Sequence, residues 1–173
     1  MKRRGDYSAF ERLGDGRPVE IRALRPDDRA EMLAAIGRTS PQSLQRRFFA
    51  PKKGFSEQEL AFFLNIDFEN HVALVAQIDE DGHPVIAGGG RYIVVRPGQA
   101  EIAFVVVDAY QAQGIGTILM RHLAVMARDA GLQELFAEVL PENTAMLKVF
   151  RKFGFRPGAR RAPQVTHLVL KLT

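Results

Sequence analysis

Ala100-Glu101-Ile102-Ala103-Phe104-Val105-Val106-Val107-Asp108-Ala109-Tyr110-Gln111-Ala112-Gln113-Gly114-Ile115-Gly116-Thr117 is the most informative segment of the chain. Ala100 to Val107 reads as a strand, the middle as a short glycine-containing loop, and the end as the opening of a long helix. Ile115, Leu119, Leu123, Met126, Ala127 and Ala130 recur at helical spacing, and Gly131 stands where a helix C′ residue belongs. The first-turn amides of such a helix have no intrahelical acceptor, and the helix dipole adds partial positive charge there. Gly114 and Gly116 let the backbone approach an anion without a Cβ in the way. A phosphate or diphosphate is the natural occupant. The loop lacks the Lys-Ser/Thr ending of a nucleoside-triphosphate loop and the third glycine of a dinucleotide fingerprint.

Outward from this segment the pattern is regular. Downstream, Leu135–Leu140 reads as a strand, Thr144–Phe153 as a helix closed by Gly154, and Thr166–Leu172 as the last strand. Strand 100–107, its helix and strand 135–140 form a βαβ unit, hence a parallel, right-handed connection. Upstream, His71–Ile78 and Val85–Val95 flank Asp81-Gly82, a strong hairpin signal. Pro97-Gly98 turns the chain again, completing an antiparallel meander. Gly88-Gly89-Gly90 inside the second strand reads as a bulge or a close backbone approach. Val19–Leu24 alternates as a strand, and Pro26-Asp27-Asp28 opens a helix to about Ile36. Two short helices follow, Ser40–Phe49 and Ser56–Leu64, the second with the capping box Ser56…Glu59. The expected fold is mixed α/β (α+β): one domain over 18–173, a mostly antiparallel sheet with a central parallel pair and flanking helices. Residues 1–17, polar and glycine-punctuated, read as a flexible arm.

Composition narrows the function. The 173 residues carry 24 Lys+Arg against 20 Asp+Glu, a net charge of +4, too diffuse to demand nucleic acid. No cysteine is present, which removes a thiolate nucleophile, Cys-ligated zinc and iron–sulfur chemistry. His71, His83, His122 and His167 stand isolated, without metal-ligand spacing, so no metal is expected. Met1 to Tyr7 is not followed by an apolar h-region, and no run approaches the ~18 apolar residues of a membrane span. The expectation is a cytoplasmic protein with neither membrane nor nucleic-acid partner.

Gln111-x-x-Gly114-x-Gly116 after a strand resembles the signature of the GNAT superfamily of N-acetyltransferases. The order carries the resemblance: strand, Asp108-x-Tyr110-Gln111, loop, helix ending at Gly131, strand, Pro141-Glu142-Asn143, then Lys152-Phe153-Gly154-Phe155. It covers roughly residues 19–172. The resemblance implies acetyl-CoA as cosubstrate. Val105, Val106 and Val107 would offer main-chain groups to the pantetheine arm and thioester. Gln111 and the amides of Ala112, Gln113, Gly114, Ile115, Gly116 and Thr117 would cradle the diphosphate. Asn143 would hydrogen-bond the pantetheine, a role compatible with capping the helix that begins at Thr144. Many members carry on that helix a tyrosine that protonates the leaving thiolate. Here the place falls on Phe150, and none of the three tyrosines lies on the helix, so the general acid is unassigned.

Transfer to an amine requires the neutral amine, and a lysine ammonium titrates near ~10.4, so a base is needed at neutral pH. Glu101 interrupts an otherwise apolar strand four positions before the expected thioester contact, where desolvation would raise its pKa toward a useful range. The resemblance points to the same glutamate; Glu138 is the reserve. Ser43-Leu44-Gln45-Arg46-Arg47-Phe48-Phe49, Asp67 and the Glu101 strand are similar to the acetyltransferase domains of bacterial protein-lysine acetyltransferases. That likeness implies a lysine acceptor on a protein such as an acyl-CoA synthetase. A small-amine or antibiotic N-acetyltransferase and a non-catalytic acetyl-CoA-binding module are the alternatives. Arg46, Arg47, Lys52 and Lys53 read either as a solvated face or as a substrate-facing flap or phosphate contact. Arg156, Arg160 and Arg161 read as a solvated loop or a contact to the adenosine 3′-phosphate. Edge strands in such sheets often pair between subunits, which permits a homodimer.

Overall fold

A computed structural model describes residues 4–48, 55–158 and 164–173. Phe49, Lys52, Lys53, Arg160 and Arg161 lie outside them. In chain order the elements are β1 (Ser8–Arg12), β2 (Pro18–Ala23), α1 (Arg29–Gly37), α2 (Pro41–Phe48), α3 (Glu57–Leu64), β3 (His71–Glu80), β4 (His83–Arg96), β5 (Gln99–Val106), α4 (Ile115–Asp129), β6 (Glu134–Val139), α5 (Thr144–Lys152), β7 (Arg156–Pro157) and β8 (Thr166–Lys171). Among the described residues the strands form one eight-stranded sheet, ordered β1-β2-β3-β4-β5-β6-β8-β7. Every neighbouring pair is antiparallel except β5–β6. The mixed sheet with one parallel pair and flanking helices is the fold class read from the sequence.

The local chemistry explains the boundaries. Asp81 (φ 51°) and Gly82 (φ 85°) both take positive φ, the requirement of the tight turn between β3 and β4. Glu59 N–H donates to Ser56 Oγ and Ser56 N–H to Glu59 Oε1, each at 3.1 Å, which realises the capping box. At the end of α4, Leu132 N–H reaches Ala127 O and Gly131 N–H reaches Arg128 O, with Gly131 at φ 80°. The same pair of bonds closes α5, from Phe155 to Phe150 and Gly154 to Arg151. One face of α4, including Leu119, Met120, Leu123 and Ala127, is fully buried in the core.

Three local features depart from the sequence reading. Ser8–Arg12, within the segment read as an arm, pairs with β2 as an edge strand. It lacks apolar alternation, and Phe10 points outward at 76% exposure, so no periodicity announces it. The two-residue β7 is too short to leave a pattern. Pro26–Asp28 forms a single 3-10 turn ahead of α1, because Asp28 turns back to accept from Arg25 N–H (2.7 Å) and from both Arg22 terminal nitrogens (2.8 and 2.9 Å). Arg22 is 5% exposed and Asp28 8%, so this bidentate pair is a buried ion pair.

Gly88-Gly89-Gly90 accompanies both features expected of it. Gln77 pairs with Ile86 but Ala76 with Gly88, which leaves Ala87 as the extra residue of a bulge. A Cβ on Gly90 would stand 2.9 Å from Leu123 Cδ1, so α4 packs directly on the bare backbone. No helix of the described residues is long and apolar enough to cross a membrane.

Candidate active site

The parallel ladder between β5 and β6 is short: Gln99, Ala100 and Glu101 face Glu134, Leu135 and Phe136, and there it ends. Beyond Glu101, β5 stays with β4 as far as Val106, while β6 stays with β8 as far as Val139. The sheet therefore forks. At the base of the fork Phe104 stacks on Phe150 of α5, centroids 5.1 Å apart, and fills the gap with apolar surface. Above it a cavity of about 380 Å³ lies between Phe104–Val106 on one side and Asn143–Val149 on the other.

The start of α4 closes one end of this cavity. Gly114, at φ 92°, is the N-cap, and Ile118 N–H is the first amide to reach back, to Gly114 O at 3.0 Å. The amides of Ile115, Gly116 and Thr117 are thus the unpaired first turn. Ala112 is also left-handed at φ 64°, and a left-handed residue in such a loop turns successive amides toward a common point. Ala112, Gly114, Ile115, Gly116 and Thr117 all line the cavity. A Cβ on Gly116 would come within 3.9 Å of Val149 Cγ2, narrowing the approach.

Two braces hold the loop. Asp108 accepts from Ser40 N–H at 2.8 Å and from Ser43 Oγ at 3.3 Å, tying α2 to the end of β5. Burial pushes the Asp108 carboxyl up, but these bonds outweigh it and hold it below its ordinary value. Gln111 Nε2 donates to Val106 O (3.1 Å) and Ser43 Oγ (3.2 Å). The Gln111 side chain is therefore a strut here, although the residue borders the cavity.

Of the other residues picked from sequence, Val105, Val106 and Asn143 line the cavity. Asn143 Oδ1 caps α5 by accepting from Met146 N–H at 3.3 Å. Val107 and Gln113 do not line it. Val107 N–H is committed to Ala87 O at 2.8 Å, and Gln113 faces the β1–β2 turn, where its side chain accepts from Arg17. Phe150, which the sequence reading places with the cofactor-binding residues, is 1% exposed, packs below the cavity and borders only the small recess beside Glu101.

Glu101 sits half-buried at the vertex of the fork, facing a recess of about 40 Å³ shared with Glu138, Arg46, Arg47 and Asn143. Burial pushes the Arg47 guanidinium down to about 10, and the charge of Glu101 pulls it back up, so the two groups feel each other. Arg46 borders both recess and main cavity, and its Nε is buried with no hydrogen-bond partner among the described residues. Of the two readings of Arg46 and Arg47, the structure supports the site-facing one. Sequence reasoning missed Ser43, Tyr110 and Lys148 in the cavity wall. Lys148 lies three residues past Ala145 on α5, so both face the same wall, a helical spacing that could have marked it. Arg156 borders neither space. No group of three or more His, Asp or Glu among the described residues is placed to hold a metal ion.

A forked sheet with an amide-lined helix start along the fork and a carboxylate at its vertex is equipped to hold a phosphate-bearing donor and move a proton beside it. Comparison with known proteins agrees. The model of the acetyltransferase (GNAT) family matches residues 41–155. The chain is 35% identical over 163 residues to acetyltransferase PA5475 of Pseudomonas aeruginosa, covering 94% of this chain and 87% of that one. It is 36% identical over 138 residues to acetyltransferase Pat of Mycolicibacterium smegmatis, which is 78% of this chain but only 40% of Pat. The solved GNAT domain of S. lividans PAT superposes with a TM-score of 0.87 at 31% identity, covering 95% of this chain and 96% of that one. The chain belongs to the GNAT acetyltransferase family and is an acetyl-CoA-dependent N-acetyltransferase.

Proposed function

We propose that the protein transfers acetyl directly from acetyl-CoA to a primary amine, the side chain of a lysine on a protein, with Glu101 as general base. The observation that carries this reading is the position of Glu101 at the vertex of the fork, below the donor cavity and within a narrow recess. In this reading the diphosphate rests against the amides of Ala112 and Gly114 to Thr117, with Lys148 and Arg46 adding positive charge along the wall. Main-chain groups of Val105 and Val106 and the side chain of Asn143 align the pantetheine arm.

Glu101 takes a proton from the ammonium, and the freed nitrogen attacks the thioester carbonyl. The C–N bond forms, the C–S bond breaks with its electron pair leaving on sulfur as CoA thiolate, and the second nitrogen proton passes to that thiolate or to water, leaving the neutral amide. A thiol titrates near ~8.5, so the thiolate leaves without a dedicated acid, consistent with Phe150 where a phenol would otherwise stand. Two carboxylates, Glu101 and Glu138, border the recess, and its small size admits a slim amine on a long stem better than a bulky one. The likeness to the S. lividans PAT domain over nearly its whole length supports the same reading.

Release of free CoA, measured against polyamines, aminoglycosides and a lysine-bearing protein such as an acyl-CoA synthetase, tests it. Acetylation of the protein lysine with little turnover of small amines is expected. Reaction of small amines alone would refute the protein acceptor. No turnover with any acceptor, while acetyl-CoA binds, would favour a non-catalytic binding module.

A further inference from the structure

Packing explains only two members of the run Gly88-Gly89-Gly90. A Cβ on Gly88 would stand 3.0 Å from Val105 O, and one on Gly90 would meet Leu123 Cδ1 at 2.9 Å. Gly89 is different. A Cβ there would find Leu74 O at 3.4 Å and Val75 Cγ1 at 3.9 Å, ordinary contacts, and its φ is not positive. Neither sterics nor backbone demands glycine at this position.

The missing side chain leaves space. Gly89 pairs with Val75 on one side and Val105 on the other, so the three share a sheet face with Ala103 and Glu101. Against that face lies a second chamber of about 100 Å³, bordered by Phe63, Val75, Ile86, Gly89, Ala103 and Val105. Its few polar walls are largely engaged. Arg91 Nη1 contacts Phe63 O (3.2 Å) and His71 Nε2 (2.8 Å), its guanidinium lies 4.7 Å from the Phe63 ring centroid, and Arg47 is drawn to Glu101. Val105 and Arg47 border both this chamber and the donor cavity, so the two spaces meet there.

We propose that this chamber receives the hydrocarbon tail of acyl donors longer than acetyl, an unbranched three- or four-carbon group, and that Gly89 sets the chain length admitted. The inference rests on the donor placement given under Proposed function. A thioester aligned at Val105 has the chamber beyond its acyl carbon, and a side chain at 89 would project between Val75 and Val105 into the volume the tail needs. Each methylene buried in such a space strengthens binding by about fourfold.

Calorimetric titration of the wild type, Gly89→Ala and Gly89→Val with CoA, acetyl-CoA and butyryl-CoA tests this, with thermal melts confirming that each variant folds. The wild type should bind butyryl-CoA at least fivefold more tightly than acetyl-CoA. Gly89→Val should abolish that increment while CoA and acetyl-CoA stay within about threefold, and Gly89→Ala should fall between; should the valine variant not fold, the alanine variant carries the comparison. Butyryl-CoA binding no tighter than acetyl-CoA, or variants that weaken all three ligands alike, would overturn the chamber's role and leave the donor site standing. A wild type that prefers succinyl-CoA to butyryl-CoA would hand the chamber to an acidic acyl group and overturn the hydrocarbon assignment. Failure of the wild type to bind CoA at all would defeat the donor placement and the chamber together.

Discussion

Glu101 and Phe136 form the last rung of the parallel ladder, and the sheet opens immediately beyond them. The carboxylate is therefore fixed on paired, rigid backbone while the space beside it is free for a ligand. A group that must receive a proton reproducibly benefits from such an anchor, since small displacements of a reacting group are costly in rate.

Glu101→Gln keeps the shape and removes the charge. Turnover should fall at least tenfold, and by up to the roughly 10²–10⁴ that a general base typically contributes, while CoA affinity stays within about twofold. Steady-state rates and calorimetry check both halves. An unchanged rate would take the role from Glu101 and pass it to Glu138, the other carboxylate of the recess.

Gly114 holds the N-cap of α4 at φ 92°, a conformation in which a side chain costs about 1–2 kcal/mol. Gly114→Ala should lower stability by about that amount and weaken CoA at least tenfold, because the amides of the first turn are displaced. Loss of stability with full CoA affinity would separate the loop from the phosphate groups.

The fold was legible where chemistry is local. Asp81-Gly82, Ser56…Glu59, Gly131 and Gly154 each specify a turn or cap through their own backbone preferences, and the structure realises all four. Val105, Val106, Asn143 and the loop from Ala112 to Thr117 were legible because a strand–loop–helix sequence fixes its own geometry, Gln113 excepted. What escaped depended on partners far along the chain. β1 exists because β2 offers an edge. Gln111 turns toward Ser43, 68 residues away, and Val107 is taken by Ala87 across the bulge. Ser43 enters the site where Asp108 and Gln111 hold α2 against the end of β5. No window of sequence contains those contacts.

Asp28 and Arg22 make a stability prediction with a definite sign. Burial raises the Asp28 carboxyl, but the Arg22 guanidinium and the Arg25 amide outweigh it and hold it below its ordinary value. A carboxyl lowered on folding stabilises above its unfolded pKa of about 3.9 and loses that contribution as pH falls through the folded value. Asp28→Asn should cost about 3–5 kcal/mol at neutral pH, because it strands the buried Arg22, and should flatten the acid limb of the stability curve. Urea melts at pH 7 and pH 3 would show it; equal pH dependence in both proteins would contradict it.

His71 gives a second pH signature. Burial first, then the neighbouring Arg91, pushes it down to about 4, against the pull of Asp67. Between about 6.5 and 4 the unfolded chain binds a proton that the folded chain refuses, so stability falls as pH drops through this window, by on the order of 3 kcal/mol. His71→Gln should lose that slope. A variant curve parallel to the wild type between pH 7 and 4 would show that His71 titrates normally in the folded protein.

The exposed amides at the start of α4 are the groups proposed to hold the diphosphate of the donor, and amide NMR reads them individually. Titration of ¹⁵N-labelled protein with CoA should shift the resonances of Ala112, Gly114, Ile115, Gly116 and Thr117 most, with a common affinity. Saturable CoA binding that leaves these five amides unmoved, with the large shifts elsewhere, would put the diphosphate at another place on the molecule.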